Sequence, residues 1–202
     1  ESEGVEEILD LAEKSIFEIS KKRTRRSFFS LNEVVKENFK SIDKLVNQPG
    51  MVTGVPTGFA DFDNKTSGLQ PSDLIIVAGR PSMGKTSFAL DIARYASLHA
   101  NTVTAMFSLE MSKDQLGMRM LCAEARVNSS KLRTGYLASS DWPRLSHAGE
   151  KLAKAKIFID DSPALSSLDV RARTRRLAAE QPLGLVIVDY LQLMQSRGKT
   201  ES

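Results

Sequence analysis

The segment 79–86 carries the most specific chemical pattern in this chain. It reads GRPSMGKT, which fits G-x-x-x-x-G-K-[ST] without a mismatch. Glycines let the backbone turn tightly, so that successive N–H groups point inward and can surround phosphate oxygens. Lys85 supplies a mobile positive charge for the β- and γ-phosphates, and the Thr86 hydroxyl can ligate Mg²⁺. The pattern favours a phosphate loop over a plain glycine-rich turn. The predicted nucleotide-binding residues are Gly79, Arg80, Pro81, Ser82, Met83, Gly84, Lys85, Thr86 and Ser87.

A second magnesium ligand is predicted at Asp189, directly after the apolar run 185–188. The aspartate therefore projects from the carboxyl end of a strand, where open α/β sheets bind their ligands. A carboxylate there can hold the magnesium shell, usually through water, because Mg²⁺ keeps several of its waters. The alternative is an aspartate that caps a turn, and the phosphate loop favours the metal role.

Hydrolysis also needs a group that orients or deprotonates water. Glu110 ends the strand pattern 106–110, and the carboxyl end of that strand lies on the same side of the sheet as the phosphates. A general base must reach its water directly, which this position allows. Spacing alone is equally compatible with Glu110 as an ordinary surface glutamate at a strand end. Asp160 and Asp161 compete for the role, but a turn leading to Pro163 explains that pair more simply.

These residues need a sheet to position them, and the pattern from residue 73 onward supplies one. Short apolar runs predict strands at 74–78, 103–109, 157–159 and 185–188. Helices are predicted from the phosphate loop to about residue 98, after Ser112, over 139–155 and over 168–180. Strands that are apolar on both faces and separated by helices indicate a parallel sheet covered on both sides. The predicted fold class is α/β.

The first fifty residues have a different organisation. Residues 4–20 have helical apolar spacing, and the basic run 21–26 follows as a linker or a contact for an acidic partner. Ser30 and Glu33 have capping-box spacing and open a helix over 31–47 with one apolar stripe. That stripe must be buried against its own domain or against a neighbouring subunit, and the sequence does not decide which.

Composition excludes several classes of protein. The chain has 202 residues, 28 Lys and Arg against 25 Asp and Glu, and 41% hydrophobic residues, so it is neither disordered nor strongly basic. No apolar run approaches the roughly 18 residues that span a bilayer. The lone Cys122 excludes a disulfide framework and is expected to be a buried thiol. No signal-peptide pattern opens the chain, which predicts a cytoplasmic location; Glu1 in place of Met suggests a fragment.

Three parts of the chain together resemble a known family. The first runs from Thr57-Gly58-Phe59 through Asp61, Asp63, Thr66, Gly68 and Leu69 to Pro71-Ser72-Asp73-Leu74. The second is the loop 79–86, and the third combines FSLEM at 107–111 with VDYLQLM at 188–194. Over roughly residues 30–195 the chain is similar to the bacterial replicative DNA helicases of the DnaB family. The match is far more specific than the phosphate loop alone.

The resemblance implies a RecA-type P-loop ATPase fold and a hexameric motor that uses ATP and Mg²⁺ to travel on single-stranded DNA and separate strands at a replication fork. It implies that Lys85 and Thr86 bind the nucleotide and its magnesium, that Glu110 is the catalytic base and that Asp189 is the second magnesium anchor. Primase and a helicase loader are implied partners. Residues 1–20 would end a preceding N-terminal domain, 21–53 would form a linker whose helix 31–47 docks on the neighbouring subunit, and 54–202 would begin the motor domain.

The resemblance also predicts what this stretch of chain lacks. The family continues beyond the Asp189 strand with further strands, DNA-binding loops, a γ-phosphate-sensing glutamine and an arginine finger, whereas this chain ends at Ser202. We therefore expect weak nucleotide binding at best and no unwinding by the chain alone. Two alternatives remain: a filament-forming recombinase or DNA-repair ATPase of the RecA type, and an assembly fragment without turnover. The segment before Gly54 and the run 108–111 favour the helicase over the recombinase.

Overall fold

The computed structural model describes residues 29–47 and 52–195, which fall into two units. In the unit Glu1–Met51 the described element is helix α1, Leu31–Asn47, with the bounds that the periodicity predicts. The Ser30 hydroxyl accepts a hydrogen bond from the Glu33 backbone N–H, so the predicted cap forms. The large apolar side chains of α1 that the structure describes are exposed, among them Val35 and Phe39. The predicted helix 4–20 and the basic run 21–26 lie outside the described residues.

The unit Val52–Ser202 contains six α-helices and three strands among its described residues. In chain order they are α2 (Ala60–Thr66), α3 (Lys85–Ala100), β1 (Val103–Ser108), α4 (Lys113–Ala125), α5 (Ser129–Thr134), α6 (Asp141–Ala153), β2 (Ile157–Asp160), α7 (Ser167–Glu180) and β3 (Leu183–Asp189), with a 3₁₀ turn over Leu191–Leu193. Ser112 and Gln115 form a complete capping box before α4, as their spacing predicts.

The three strands form one parallel sheet in the order β2-β1-β3. All six residues of β1 are buried, because it is the central strand and both of its faces are covered. In the β1–β3 pairing Ser108 lies opposite Asp189, so the two strands end level with each other. The register therefore brings the residues that follow β1 and the last residue of β3 to one edge of the sheet.

Helices cover both faces of this sheet, as the apolar runs predict. Met106 of β1 packs in a cluster with Leu90 of α3 and Leu116 of α4. Alternate residues of a strand face opposite sides. On the other face Phe107 accordingly packs in a cluster with Leu165 and with Val170 of α7. The sheet is thus the middle of three layers, and α3, which follows the phosphate loop, belongs to one outer layer.

The predicted strand 74–78 is wrong as a strand of this sheet. These residues have no regular secondary structure and pair with no described strand, and the side chains of Leu74, Ile76 and Val77 are exposed. An apolar run predicts that a segment can pair, whereas a ladder needs the hydrogen-bonding edge of a second strand. Val77 and its neighbours make no backbone hydrogen bond to any other described residue. The described sheet therefore has three strands instead of four.

Cys122 is buried on α4, and burial raises the pKa of its thiol, as expected of a packing residue. Within the described ranges, no helix has the length and apolar character needed to cross a membrane.

Candidate phosphate and metal site

The phosphate loop turns sharply between the unpaired segment 74–78 and α3. The Met83 N–H donates to the Arg80 carbonyl at 3.2 Å, and Ser82 has φ 64°. Gly84 follows with φ 88° and is the N-cap of α3. A Cβ at Gly84 would meet nothing within 4 Å, so the backbone conformation, and not a lack of space, requires glycine here. The second glycine of the motif thus allows the chain to enter the helix.

The first turn of α3 offers backbone donors to an anion. The first N–H with a local acceptor is that of Phe88, which donates to the Gly84 carbonyl at 2.9 Å. The N–H groups of Lys85, Thr86 and Ser87 precede it and have no acceptor among the described residues. Free N–H groups and the positive end of a helix favour phosphate oxygens. The loop geometry therefore fits the phosphate-binding role that the motif predicts.

Thr86 and Asp189 are in direct contact. The Thr86 hydroxyl donates to Asp189 Oδ2 at 2.7 Å, although the two residues are 103 positions apart in the chain. Asp189 is buried, with 7% of its surface exposed, and lies at the end of β3 as its sequence position predicts. The fold thus brings together the hydroxyl and the carboxylate that the sequence singles out as magnesium ligands.

These two oxygens fit the chemistry of Mg²⁺, which prefers hard oxygen ligands in an octahedron. In the described part of the chain, no group of three or more His, Cys, Asp or Glu side chains could hold a metal. Among the described residues, Thr86 and Asp189 together would supply two oxygen ligands of such an octahedron. Phosphate oxygens and water would complete it, as is usual for magnesium that arrives with a nucleotide.

Lys85 extends from the start of α3 toward the end of β3. The stem of its side chain passes over Gly79, where an added Cβ would lie 3.5 Å from Lys85 Cγ. Its ammonium group lies 5.4 Å from the centroid of the Tyr190 ring. Tyr190 directly follows Asp189, and the peptide bond between them is cis. Sequence reasoning missed Tyr190, although its place next to a candidate metal ligand at a strand end could have suggested it.

Glu110 lies on a turn that is fixed at both ends. The Ser108 hydroxyl donates to the Met111 carbonyl at 2.6 Å and accepts from the Met111 N–H at 3.2 Å. The Leu109 N–H donates to the Asp189 carbonyl at 2.8 Å. Glu110 itself is exposed and makes no hydrogen bond to a described residue. The turn therefore carries a free carboxylate at the sheet edge where Asp189 ends β3.

The competing carboxylates Asp160 and Asp161 are engaged elsewhere. Asp160 pairs with Arg173 of α7 and accepts from the Ser162 N–H. Burial opposes ionisation of Asp160, but these bonds outweigh it and hold its pKa below the usual value. The Lys113 backbone N–H donates to Asp161 at 3.0 Å, and this bond lowers the pKa of that carboxyl. Both aspartates thus stabilise the ends of neighbouring elements.

Comparison with known proteins places this arrangement in a family. Residues 54–202 match the family described as DnaB-like helicase C terminal domain. The chain belongs to this family. It is 46% identical over 197 residues to the replicative DNA helicase DnaB of Geobacillus stearothermophilus, covering 98% of this chain and 43% of that protein. The chain thus spans less than half the length of this relative.

Two solved structures resemble the fold of this DnaB-like chain. One is an ATPase domain that superposes with a TM-score of 0.80 at 31% identity, over 87% of this chain and 62% of that one. A DnaB-like replicative helicase, whose structure was determined together with its interactions with primase, gives a TM-score of 0.75 at 31% identity. That match covers 95% of this chain and 46% of the other. The predicted family and the RecA-like α/β fold class are both confirmed.

Proposed function

We propose that this DnaB-like chain is part of a replicative DNA helicase that couples hydrolysis of Mg-ATP to movement on single-stranded DNA and to unwinding at the replication fork. Family membership and the relative named DnaB support this proposal. The observation that carries it is the contact between Thr86 and Asp189 beside a full phosphate-loop motif. Mg-nucleotide sites of P-loop proteins use such a hydroxyl and such a carboxylate to hold the ion, and this contact brings the two together beside the loop.

The nucleotide would bind at the loop 79–86. The N–H groups at the start of α3 and the Lys85 ammonium would hold the β- and γ-phosphates. Thr86 and Asp189 would hold Mg²⁺, and Ser87 completes the set of loop contacts. When bound, the ion would neutralise the charge that develops on the phosphate oxygens. Lys85 would stabilise the same charge, and catalysis of phosphoryl transfer depends mainly on such positioning and electrostatics.

Glu110 is the proposed general base. Its carboxylate is exposed and has no partner among the described residues, so it is free to accept a proton from water. The bonds of Ser108 to Met111 and of Leu109 to Asp189 would hold the turn in place. Asp160 and Asp161 are less suitable, because each already accepts hydrogen bonds from a neighbouring element.

The proposed domain organisation follows the family resemblance. Residues 1–20 would end a preceding domain, 21–53 would be a linker, and 54–202 would be the first part of the motor domain. Helix α1 would dock on a neighbouring subunit of a hexameric ring through its exposed apolar stripe. Proposed partners are single-stranded DNA, primase and a helicase loader. The solved DnaB-like helicase was described together with its interactions with primase, which supports that partner.

The first experiment is steady-state ATP hydrolysis by this chain with Mg²⁺, with and without single-stranded DNA, together with titration of Mg-ADP. We expect Mg-dependent nucleotide binding that Lys85→Ala weakens at least about tenfold while the fold is kept. Lys154→Ala is the matched control, since Lys154 is exposed at the end of α6. Equal affinity in the Lys85 variant and the parent would refute the phosphate-loop assignment. Turnover stimulated by DNA would show that the essential parts are present in this chain.

A second candidate function, an assembly piece without turnover, is favoured by one observation. The stripe of α1 leaves Phe39 and Val46 largely exposed, and such a face is stabilised by a partner surface. A monomeric mass in light scattering at high concentration would count against this function.

A filament-forming recombinase is the remaining alternative. Long filaments on single-stranded DNA in electron micrographs would identify it, whereas closed rings would favour the helicase.

A further inference from the structure

The residue pairs Lys85-Thr86 and Asp189-Tyr190 meet side by side at the candidate site. Thr86 contacts Asp189 through a hydrogen bond, and Lys85 contacts Tyr190 through its ammonium group, 5.4 Å from the ring centroid. A cation within about 6 Å of an aromatic ring centroid is attracted by the negative face of the ring. The end of β3 therefore contacts both chemically active residues at the start of α3.

The stem of the Lys85 side chain lies beside Gly79, and its tip contacts the Tyr190 ring. Its stem passes over Gly79, since a Cβ there would lie 3.5 Å from Cγ and 3.8 Å from Cδ. Its tip lies over Tyr190, and no carboxylate of the described chain comes within ion-pairing distance of the ammonium. A lysine side chain is flexible and loses rotamer entropy when a ligand fixes it. Contacts that fix the side chain beforehand reduce that loss.

We propose that Tyr190 is a positioning residue for Lys85: its ring holds the ammonium at the loop, so that Lys85 is already placed for the phosphates of a bound nucleotide. The inference rests on the proposed nucleotide-binding function. Tyr190 acts here through Lys85 and not through the phosphates. Because the attraction comes from the ring face, the hydroxyl is dispensable and the aromatic ring is required.

The variants Tyr190→Phe and Tyr190→Leu separate the ring from the hydroxyl. We expect Tyr190→Leu to weaken Mg-ADP binding about two- to fivefold, the equivalent of about 0.5–1 kcal/mol, and Tyr190→Phe to bind like the parent chain. Tyr136→Leu is the matched control, because Tyr136 is an exposed tyrosine with 82% of its surface accessible. Circular dichroism of each variant verifies that the fold is kept.

A spectroscopic readout tests the contact without any nucleotide. Protons of the Lys85 ε-methylene beside an aromatic ring experience an upfield ring-current shift, which NMR detects in the free chain after assignment with Lys85→Met. We expect the shift in the parent chain and in Tyr190→Phe, and its loss in Tyr190→Leu. A residue that only supports the fold would not produce this pattern.

The outcomes distinguish the inference from the function on which it rests. If the parent chain binds Mg-ADP and Tyr190→Leu binds equally well, the positioning role is overturned and the nucleotide site stands. The same holds if Tyr190→Phe loses as much affinity as Tyr190→Leu, or if the ring-current shift is absent from the parent. If the parent chain binds no Mg-ADP at millimolar concentration, the nucleotide site is refuted, and the role of Tyr190 with it.

Discussion

Thr86 and Asp189 are joined by a hydrogen bond of 2.7 Å that links the first turn of α3 to the last residue of β3. A buried carboxylate is stable only when it is hydrogen-bonded or paired, and Thr86 supplies one such bond. The position of Asp189 is further fixed by its pairing opposite Ser108 in the β1–β3 ladder. The proposed magnesium ligands are therefore assembled by the sheet register and by the loop that starts α3.

Asp189→Asn tests the magnesium role directly. Asparagine can still accept a hydrogen bond from Thr86 but carries no charge, so it attracts magnesium far less. The ratio of the ADP affinity with Mg²⁺ to the affinity without it should be about tenfold smaller in Asp189→Asn than in the parent chain. Binding of ADP in the presence of a chelator should stay unchanged. Titration of labelled ADP with and without Mg²⁺ measures both quantities.

The control for this variant is Asp161→Asn, which neutralises another aspartate at a strand end. Asp161 accepts from the Lys113 backbone N–H and is not part of the proposed site. We expect the ADP affinity of Asp161→Asn to depend on Mg²⁺ as that of the parent chain does. If the two variants behave alike, Asp189 has no special role in holding the ion.

Ser108→Ala tests the turn that carries Glu110. The hydroxyl is buried and serves as donor and acceptor toward the Met111 backbone, so its removal leaves two polar groups without this partner. We expect a loss of about 1–2 kcal/mol in the free energy of unfolding, measured by urea denaturation. In an ATPase-competent assembly we expect a lower kcat with an unchanged KM, because the turn would position the base and not the phosphates.

A serine without such bonds provides the comparison. Ser140 precedes α6, is exposed and makes no capping hydrogen bond through its side chain. Ser140→Ala should therefore change the free energy of unfolding by less than about 0.5 kcal/mol. A Ser108→Ala variant as stable as Ser140→Ala would mean that the Met111 bonds contribute nothing.

Local sequence patterns predicted most of the helices and strands, because helical periodicity and capping depend on residues that are close in the sequence. Helix α1 has the predicted bounds, and α7 and β1 each differ by one residue from the prediction. The segment 74–78 shows the limit of this reasoning. Its apolar residues predicted a tendency to pair, but pairing depends on an edge supplied by a distant segment, which a local pattern does not contain.

For the candidate site, the sequence predicted the residues of the motifs but not the contacts between side chains. Motif spacing identified Lys85 and Thr86, and the end of an apolar strand identified Asp189. The contact of Lys85 with Tyr190 and the bonds from Ser108 to the Met111 backbone were not predicted, since they depend on side-chain directions in the folded chain.

Asp63→Ala tests how the segment before the phosphate loop is held. The buried Asp63 carboxylate accepts from the Thr57 N–H and hydroxyl and from the Gly58 N–H. Phe59 follows these residues and packs against Phe88 of α3, with ring centroids 5.0 Å apart. We expect Asp63→Ala to lower the free energy of unfolding by about 3 kcal/mol, because hydrogen bonds to a charged acceptor are lost together.

The neighbouring acid Asp61 is the matched control for that measurement. Asp61 is exposed in the first turn of α2, where its charge interacts with the helix dipole. Asp61→Ala should therefore cost less than about 1 kcal/mol in urea denaturation. Similar losses in the two variants would contradict a structural role for the bonds of Asp63.

The ion pairs of Glu124 make the stability of the folded chain depend on pH. Its carboxylate on α4 pairs with Arg94 of α3 and with Lys151 of α6. Burial opposes its ionisation, but the bonds from Lys151 and Arg94 outweigh burial and hold its pKa below the usual 4.5. Because the folded-state pKa is lowered, the stabilisation is present above pH 4.5 and is lost as the pH falls through the folded-state value.

Glu124→Gln should therefore unfold more easily than the parent chain at pH 7, by about 1–2 kcal/mol, and the difference should shrink as the pH falls below 4.5. Urea denaturation at pH 7 and at successively lower pH measures this difference. Glu150→Gln is the control, since Glu150 is exposed and forms no ion pair among the described residues. A difference in the free energy of unfolding between Glu124→Gln and the parent that stays constant with pH would mean that the charge of Glu124 does not cause the stabilisation. A difference that disappears in acid would show that the ion pairs of Glu124 link α4 to α3 and α6.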